Sequence, residues 1–135
     1  MRVLVDTNTL LSALLYPNST TAKAFQFVLL NHQLILCDYV IEEAKTVVKR
    51  KFPNHLVDLN SFLRELNFET VFAPPLTPET MERMRDPKDV PILLTAEREK
   101  VDIILTGDKD FHALNLEKPR VLSAGQFLAL IGELN

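Results

Sequence analysis

Two short aliphatic runs, one at the start of the chain and one in its last third, break off in the same way. Val3-Leu4-Val5 runs into Asp6, and the stretch from Val101 to Leu105 runs into Thr106-Gly107-Asp108. Runs of this length, rich in β-branched residues, are too short for helices and suit strands covered on both faces. In an open α/β sheet the ligand crevice lies beyond the carboxyl ends of the strands, so an acid placed there is a functional candidate by position. Each acid also has an ordinary account. Asp6 can cap a helix beginning near Thr7, and Gly107-Asp108 is common turn chemistry. The recurrence is what singles the two acids out.

Between the two runs, helix and strand signals alternate. Leu10 to Leu15 reads as a buried helix that stops before Tyr16-Pro17-Asn18-Ser19, with Asn8 facing the crevice from its first turn. Ser19-Thr20-Thr21 caps a second helix that runs through Phe25 and Val28 to Asn31, and His32 falls in its exit turn. Gln33 to Cys37 is a second strand, after which Asp38 is placed to cap a third helix over about Tyr39 to Lys51. On that helix Val40, Ile41, Ala44, Val47 and Val48 share one apolar stripe. Glu43 lies about 100° from the centre of the stripe, on its border, and Glu42 about 160° away, toward solvent. Only Glu43 can reach the rim of a packed crevice. The basic tail Lys45, Lys49, Arg50, Lys51 suits a helix C-terminus and could also touch a phosphate backbone.

A further helix follows Pro53-Asn54, with Leu56, Leu59, Phe62, Leu63 and Leu66 at helical spacing and a partnerless His55 near its start. Phe68 to Phe72 is a short strand, and Thr77-Pro78-Glu79 opens a brief helical turn. The next stretch, Arg85-Asp86-Pro87-Lys88-Asp89-Val90-Pro91, places two acids at a helix entrance. Pro87 and Pro91 both favour a first-turn position, so the helix start is ambiguous between them. Capping accounts for one of the two acids and leaves the other without a role. Beyond Asp108, His112 reads as a surface residue beside a turn. Arg120 to Leu122 is a last strand, and Ser123 caps a final amphipathic helix.

Length and composition narrow the function. At 135 residues the chain is expected to form one domain, burying roughly two-thirds of the surface its unfolded form exposes. No apolar run approaches the roughly 20 residues needed to cross a bilayer, and no secretory signal precedes Asp6, so no membrane role is expected and the cytoplasm is the expected compartment. The single cysteine, Cys37, sits in the run Leu34-Ile35-Leu36-Cys37 and reads as a core residue. The net charge is −3, so a phosphate-bearing substrate would require a local basic patch or bound cations.

Strands alternating with helices imply a mainly parallel sheet whose carboxyl edge would gather Asp6, Glu43, Asp89 and Asp108 into one crevice. Four carboxylates so placed repel one another and take up protons unless cations join them. Oxygen-only ligands, with no Cys or His at ligand spacing, select Mg²⁺ or Mn²⁺ over zinc. Such an ion can activate water for attack on a phosphodiester and stabilise charge on the phosphoryl oxygens.

The series Val5-Asp6-Thr7-Asn8, Glu43, Asp86-Pro87-Lys88-Asp89 before Ile92-Leu93-Leu94-Thr95-Ala96, and Leu105-Thr106-Gly107-Asp108-Lys109-Asp110-Phe111 resembles the PIN domain family over nearly the whole chain. The resemblance implies a three-layer α/β/α fold with a central, mainly parallel sheet of about five strands. It also implies metal-dependent cleavage of RNA. Asp6, Glu43, Asp89 and Asp108 would be the metal-binding and catalytic acids, supported by Asn8, Asp86, Thr106 and Asp110. Many small members are toxins of toxin–antitoxin pairs, homodimeric and inhibited by an antitoxin protein, which makes an antitoxin and a second copy of the chain the implied partners beside RNA. Rival folds fit less well. A receiver-type phosphoacceptor needs an acidic pair after its first strand, and a haloacid-dehalogenase-type phosphatase needs an acid where Asn8 stands. Gly107, Gly125 and Gly132 form no phosphate-cradling loop. The alternative to an enzyme is a module that keeps the acids and only binds RNA or serves as a scaffold.

Overall fold

The structure, a computed structural model, describes residues 1–134. Five strands, β1 (Arg2–Val5), β2 (Gln33–Cys37), β3 (Phe68–Val71), β4 (Ile103–Leu105) and β5 (Arg120–Leu122), form one sheet in the order β3-β2-β1-β4-β5. Every neighbouring pair is parallel. Val3, Leu4 and Val5 are wholly inaccessible, as uninterrupted aliphatic runs in a doubly covered sheet must be. The helices are α1 (Thr7–Leu15), α2 (Thr20–Asn31), α3 (Asp38–Lys51), α4 (Leu56–Glu65), α5 (Pro78–Met81), α6 (Val90–Arg98), α7 (Lys109–His112) and α8 (Ala124–Leu134). They complete a three-layer α/β/α architecture around one continuous apolar core. No described helix is long and apolar enough to cross a membrane.

Strand order decides where a ligand can sit. From central β1 the chain steps outward to β2 and β3, then crosses back to place β4 on the other side of β1. Loops leaving β1 and β4 therefore diverge, and the crevice between them is the topological switch point of the sheet. Val5 pairs with Leu105, so Asp6 and Thr106 leave the sheet side by side.

Most of the expected caps form. Ser19 Oγ accepts from Ala22 N at 3.1 Å, and Ser123 and Gln126 cap reciprocally, at 2.9 and 3.1 Å. Asp38 behaves otherwise: α3 begins on it, Cys37 holds the cap position without a side-chain bond, and Oδ1 of Asp38 accepts from Ala73 N at 2.9 Å. A tertiary contact has taken the carboxylate that local propensity assigned to the helix end. His55 has a partner too, Asp58 Oδ2 at 3.2 Å.

The connection from β3 to α6 is fastened at several points. Ala73 is held by Asp38, the Phe72 carbonyl accepts from Arg98, and Arg83 forks onto Glu97, with Nη2 2.9 Å from Oε2. Between the first of these ties and the last, Pro74 to Leu76 make no regular structure.

Candidate functional site

Asp6 caps a helix as expected and also stands at the carboxyl edge of the sheet. It caps α1, Oδ1 accepting from Thr9 N at 2.9 Å, and it lines the crevice, Oδ2 accepting the Thr106 hydroxyl. Thr106 Oγ1 in turn accepts from Asp108 N at 3.0 Å, so one hydroxyl ties the end of β1 to the loop after β4. Asp6 is only 5% exposed. Burial pushes its carboxyl pKa up, and the hydrogen bonds from Thr106 and Thr9 oppose that shift.

The double proline resolves into two consecutive turns. Pro87 opens a 3₁₀ turn over Pro87–Asp89, capped by Asp86, whose Oδ1 accepts from Lys88 N at 3.0 Å, and Pro91 falls in the first turn of α6. Asp86 is thus the acid that capping explains. Asp89 occupies the cap position of α6 without making the cap bond, and its Oδ2 is buried with no hydrogen-bond partner among the described residues. Thr7 Oγ1, next to Asp6, is likewise buried and unpartnered. The Asp89 carboxyl is pushed up to about 7, first by burial and then by the charges of Asp108, Asp86, Asp6 and Asp110.

Asp108 caps α7 through Oδ1, which accepts from Asp110 N at 2.9 Å. This turn draws Asp110 in beside it. Asp89, Asp108 and Asp110 each offer an oxygen, and the three lie within 4.8 Å of one another. Asp110 also carries the site's own cation: Arg85 Nε is 3.1 Å from both of its oxygens and Nη2 is 2.9 Å from Oδ2. Asp6 lies outside the group of three but reaches it through Thr106.

Glu43, half-buried on α3, is also outside that group and accepts from the Tyr39 hydroxyl at 3.3 Å. Burial pushes the Tyr39 phenol up to about 12, with the charges of Glu43, Asp86 and Asp89 adding to it. Glu42 is exposed and lies 3.9 Å from Lys45. Asn8 is exposed on the first turn of α1. His112 is half-buried, with Nε2 2.9 Å from the Thr106 carbonyl oxygen, so the surface reading is replaced by a brace under the Thr106 turn.

A groove of about 310 Å³ runs beside Tyr39 and Glu43, with Val47, Arg50 and Lys88 in its walls. A larger cavity, of about 550 Å³, lies at the amino ends of β4 and β5 against Val101, Ile103 and Pro119, and contains none of these acids. Charge and hydrogen-bonding capacity, not cavity size, mark the carboxyl edge as the candidate site. Its donor set suits a hard divalent cation. The three converging ligands are all carboxylates, one buried oxygen lacks a partner among the described residues, and burial together with the neighbouring acids pushes the Asp89 carboxyl up to about 7.

Residues 2–110 match the PIN domain family. No curated protein is matched in sequence. Among solved structures, the chain is similar to one in VapBC2 from Rickettsia felis bound to a DNA fragment from their promoter. There the TM-score is 0.68 and the identity 12%, covering 91% of this chain and 98% of that one. It is similar to one in FitAB bound to an IR36 DNA fragment, with TM-score 0.68 and 17% identity over 90% and 94% of the two chains. It is also similar to VapC20 of Mycobacterium tuberculosis, a sarcin-ricin loop cleaving toxin, with TM-score 0.60 and 12% identity over 84% and 95%. At these identities the likeness is one of fold.

Proposed function

Because the chain belongs to the PIN domain family, we propose that it is a divalent-metal-dependent endoribonuclease, its 135 residues working as one domain. The observation that carries this reading is the unpartnered buried Oδ2 of Asp89, beside Asp108 and Asp110 with oxygens within 4.8 Å. An apoprotein gains nothing from burying such an oxygen among like charges. Asp89, Asp108 and Asp110 would hold the cation, Mg²⁺ or Mn²⁺, with Asp6 and Glu43 completing the acidic set. When bound, the ion supplies Lewis acidity and neutralises charge at the phosphoryl oxygens.

The chain's own residues do the rest. Thr106 and Thr9 hold the Asp6 carboxylate in one orientation, and Asp86 fixes the turn that presents Asp89. Water is the nucleophile: its oxygen bonds to phosphorus as the bond to the leaving oxygen breaks. The one thiol, Cys37, is buried in the core 3.2 Å from Thr95 Oγ1 and plays no part in this step. Arg50 and Lys88 in the groove supply the local positive charge that a net charge of −3 otherwise denies a polyanion, and the Tyr39 ring offers a face for a base.

The likeness to chains in VapBC2 and FitAB supports a place in a toxin–antitoxin pair with a protein antitoxin as partner, and the family resemblance read from the sequence adds a second copy of this chain. The deciding experiment is cleavage of single-stranded RNA with Mn²⁺, Mg²⁺ or EDTA by the wild-type protein and by Asp108→Asn, with circular dichroism to confirm folding. Cleavage that needs the metal and disappears in a folded variant supports the nuclease. An RNA-binding or scaffolding module would retain binding and show no cleavage to lose.

A further inference from the structure

We propose that Arg85 is the phosphate-binding residue of this site, held on Asp110 until a cation displaces it; the proposal rests on the nuclease reading above. Asp110 offers one of the three oxygens that lie within 4.8 Å of one another, yet both of its oxygens already accept from Arg85 Nε, at 3.1 Å each, and Nη2 stands 2.9 Å from Oδ2. A divalent ion bound by Asp89, Asp108 and Asp110 would lie next to that guanidinium, with like charges a few ångströms apart. The two cations compete for one carboxylate. Asp110 is the more sheltered partner, its side chain 22% exposed, whereas the Arg85 side chain is 80% exposed. A pair so open to water is weak, so Arg85 is the member that leaves and little is lost when it does.

Released, Arg85 remains at the rim with its planar fork of donors unoccupied. That fork matches the paired non-bridging oxygens of a phosphodiester, which a lysine cannot reproduce. The carboxylates attract the ion but repel the substrate's phosphate, so a positive group on the solvent side of the ion is the missing complement. Arg85 is the arginine whose contacts place it there. In this scheme one side chain takes two anions in turn, Asp110 in the empty site and the scissile phosphate in the loaded one.

The test compares wild type, Arg85→Ala and Arg85→Lys in two measurements. The first is Mn²⁺ affinity of the protein alone, by titration calorimetry. The second is affinity for a short single-stranded RNA, by fluorescence anisotropy with Ca²⁺ in place of Mn²⁺. Arg85→Ala is expected to bind Mn²⁺ about threefold to tenfold more tightly and RNA about tenfold more weakly, with Arg85→Lys intermediate in RNA affinity. Lys109→Ala, which removes a neighbouring exposed charge, should leave Mn²⁺ affinity nearly unchanged. A residue that merely orders Asp110 would give the opposite metal result, weaker Mn²⁺ binding in Arg85→Ala, and that outcome overturns the proposal. So does unchanged RNA affinity in Arg85→Ala when the wild type cleaves RNA, which leaves the nuclease reading standing. A wild type that neither binds nor cleaves RNA removes both.

Discussion

Thr106 donates its hydroxyl proton to Oδ2 of Asp6 while its oxygen accepts the Asp108 amide, so one side chain joins two acids that come from separate strands. Thr106→Val keeps the shape and removes both bonds, leaving a buried carboxylate oxygen and a backbone amide unpaired. The expected loss is about 1–3 kcal/mol in thermal or urea unfolding, with Thr106→Ser recovering most of it. The Asp6 carboxyl should also move further up, since the Thr106 bond is what most opposes the upward push of burial.

The acidic cluster should make the metal-free protein less stable as pH rises. The Asp89 carboxyl lies at about 7 in the folded state against 3.8 for its ordinary value, so between those limits the folded chain binds more protons than the unfolded one. Stability therefore falls across that window, most steeply near its middle. At 1.36 kcal/mol per unit the ceiling is about 4 kcal/mol, and partial solvent exposure reduces it to roughly 2. Melting in EDTA at pH 5 and pH 8 measures the drop. Asp89→Asn should flatten it, and saturating Mn²⁺ should reverse it by binding only the folded state.

Neighbouring glutamates on α3 should behave unequally. Glu43→Gln is expected to lower RNA cleavage about 100-fold and Tyr39→Phe about tenfold, as loss of an acid and of the group orienting it. Glu42→Gln, exposed beside Lys45, should change cleavage by less than about twofold. Equal effects from Glu42 and Glu43 would remove the argument from helix periodicity.

The groove cations should act on substrate binding and not on the chemical step. Arg50→Ala and Lys88→Ala are each expected to raise KM with kcat nearly unchanged, and each to lower the slope of log affinity against log salt by roughly 0.7. A fall in kcat with KM unchanged would assign these residues elsewhere.

Much of this site was legible in sequence because its acids stand where the chain changes structure. Asp6 and Asp108 follow aliphatic runs, and helix periodicity separates Glu43 from Glu42. Asp86 and Asp89 were visible as a pair, but two prolines left open which one capped; only the folded turn shows that Asp86 does and Asp89 does not. What stayed hidden depends on side-chain direction across the fold. Asp110, read from sequence only as a supporting acid, converges with Asp89 and Asp108 after its amide donates to Asp108, and Arg85 reaches it from within the β3–α6 connection. Asp38 and His112 differ from expectation: Asp38, read as a helix cap, is taken by Ala73 from 35 residues away, and His112, read as a surface residue, is half-buried against the Thr106 carbonyl.

The ties along the β3–α6 connection decide where this chain can change length. Asp38 grips Ala73 on one side and Arg83 grips Glu97 on the other, so the span bearing Arg85, Asp86 and Asp89 has its geometry set by anchors and not by the length of what precedes it. Extra residues after Pro75 would balloon outward between the pins and leave the melting temperature and metal affinity nearly intact. The same insertion after Met84, beyond the second pin, would pull Asp89 out of register with its neighbours. The stretch from Pro74 to Leu76 is therefore the place to graft a reporter peptide or a new recognition loop without disarming the protein.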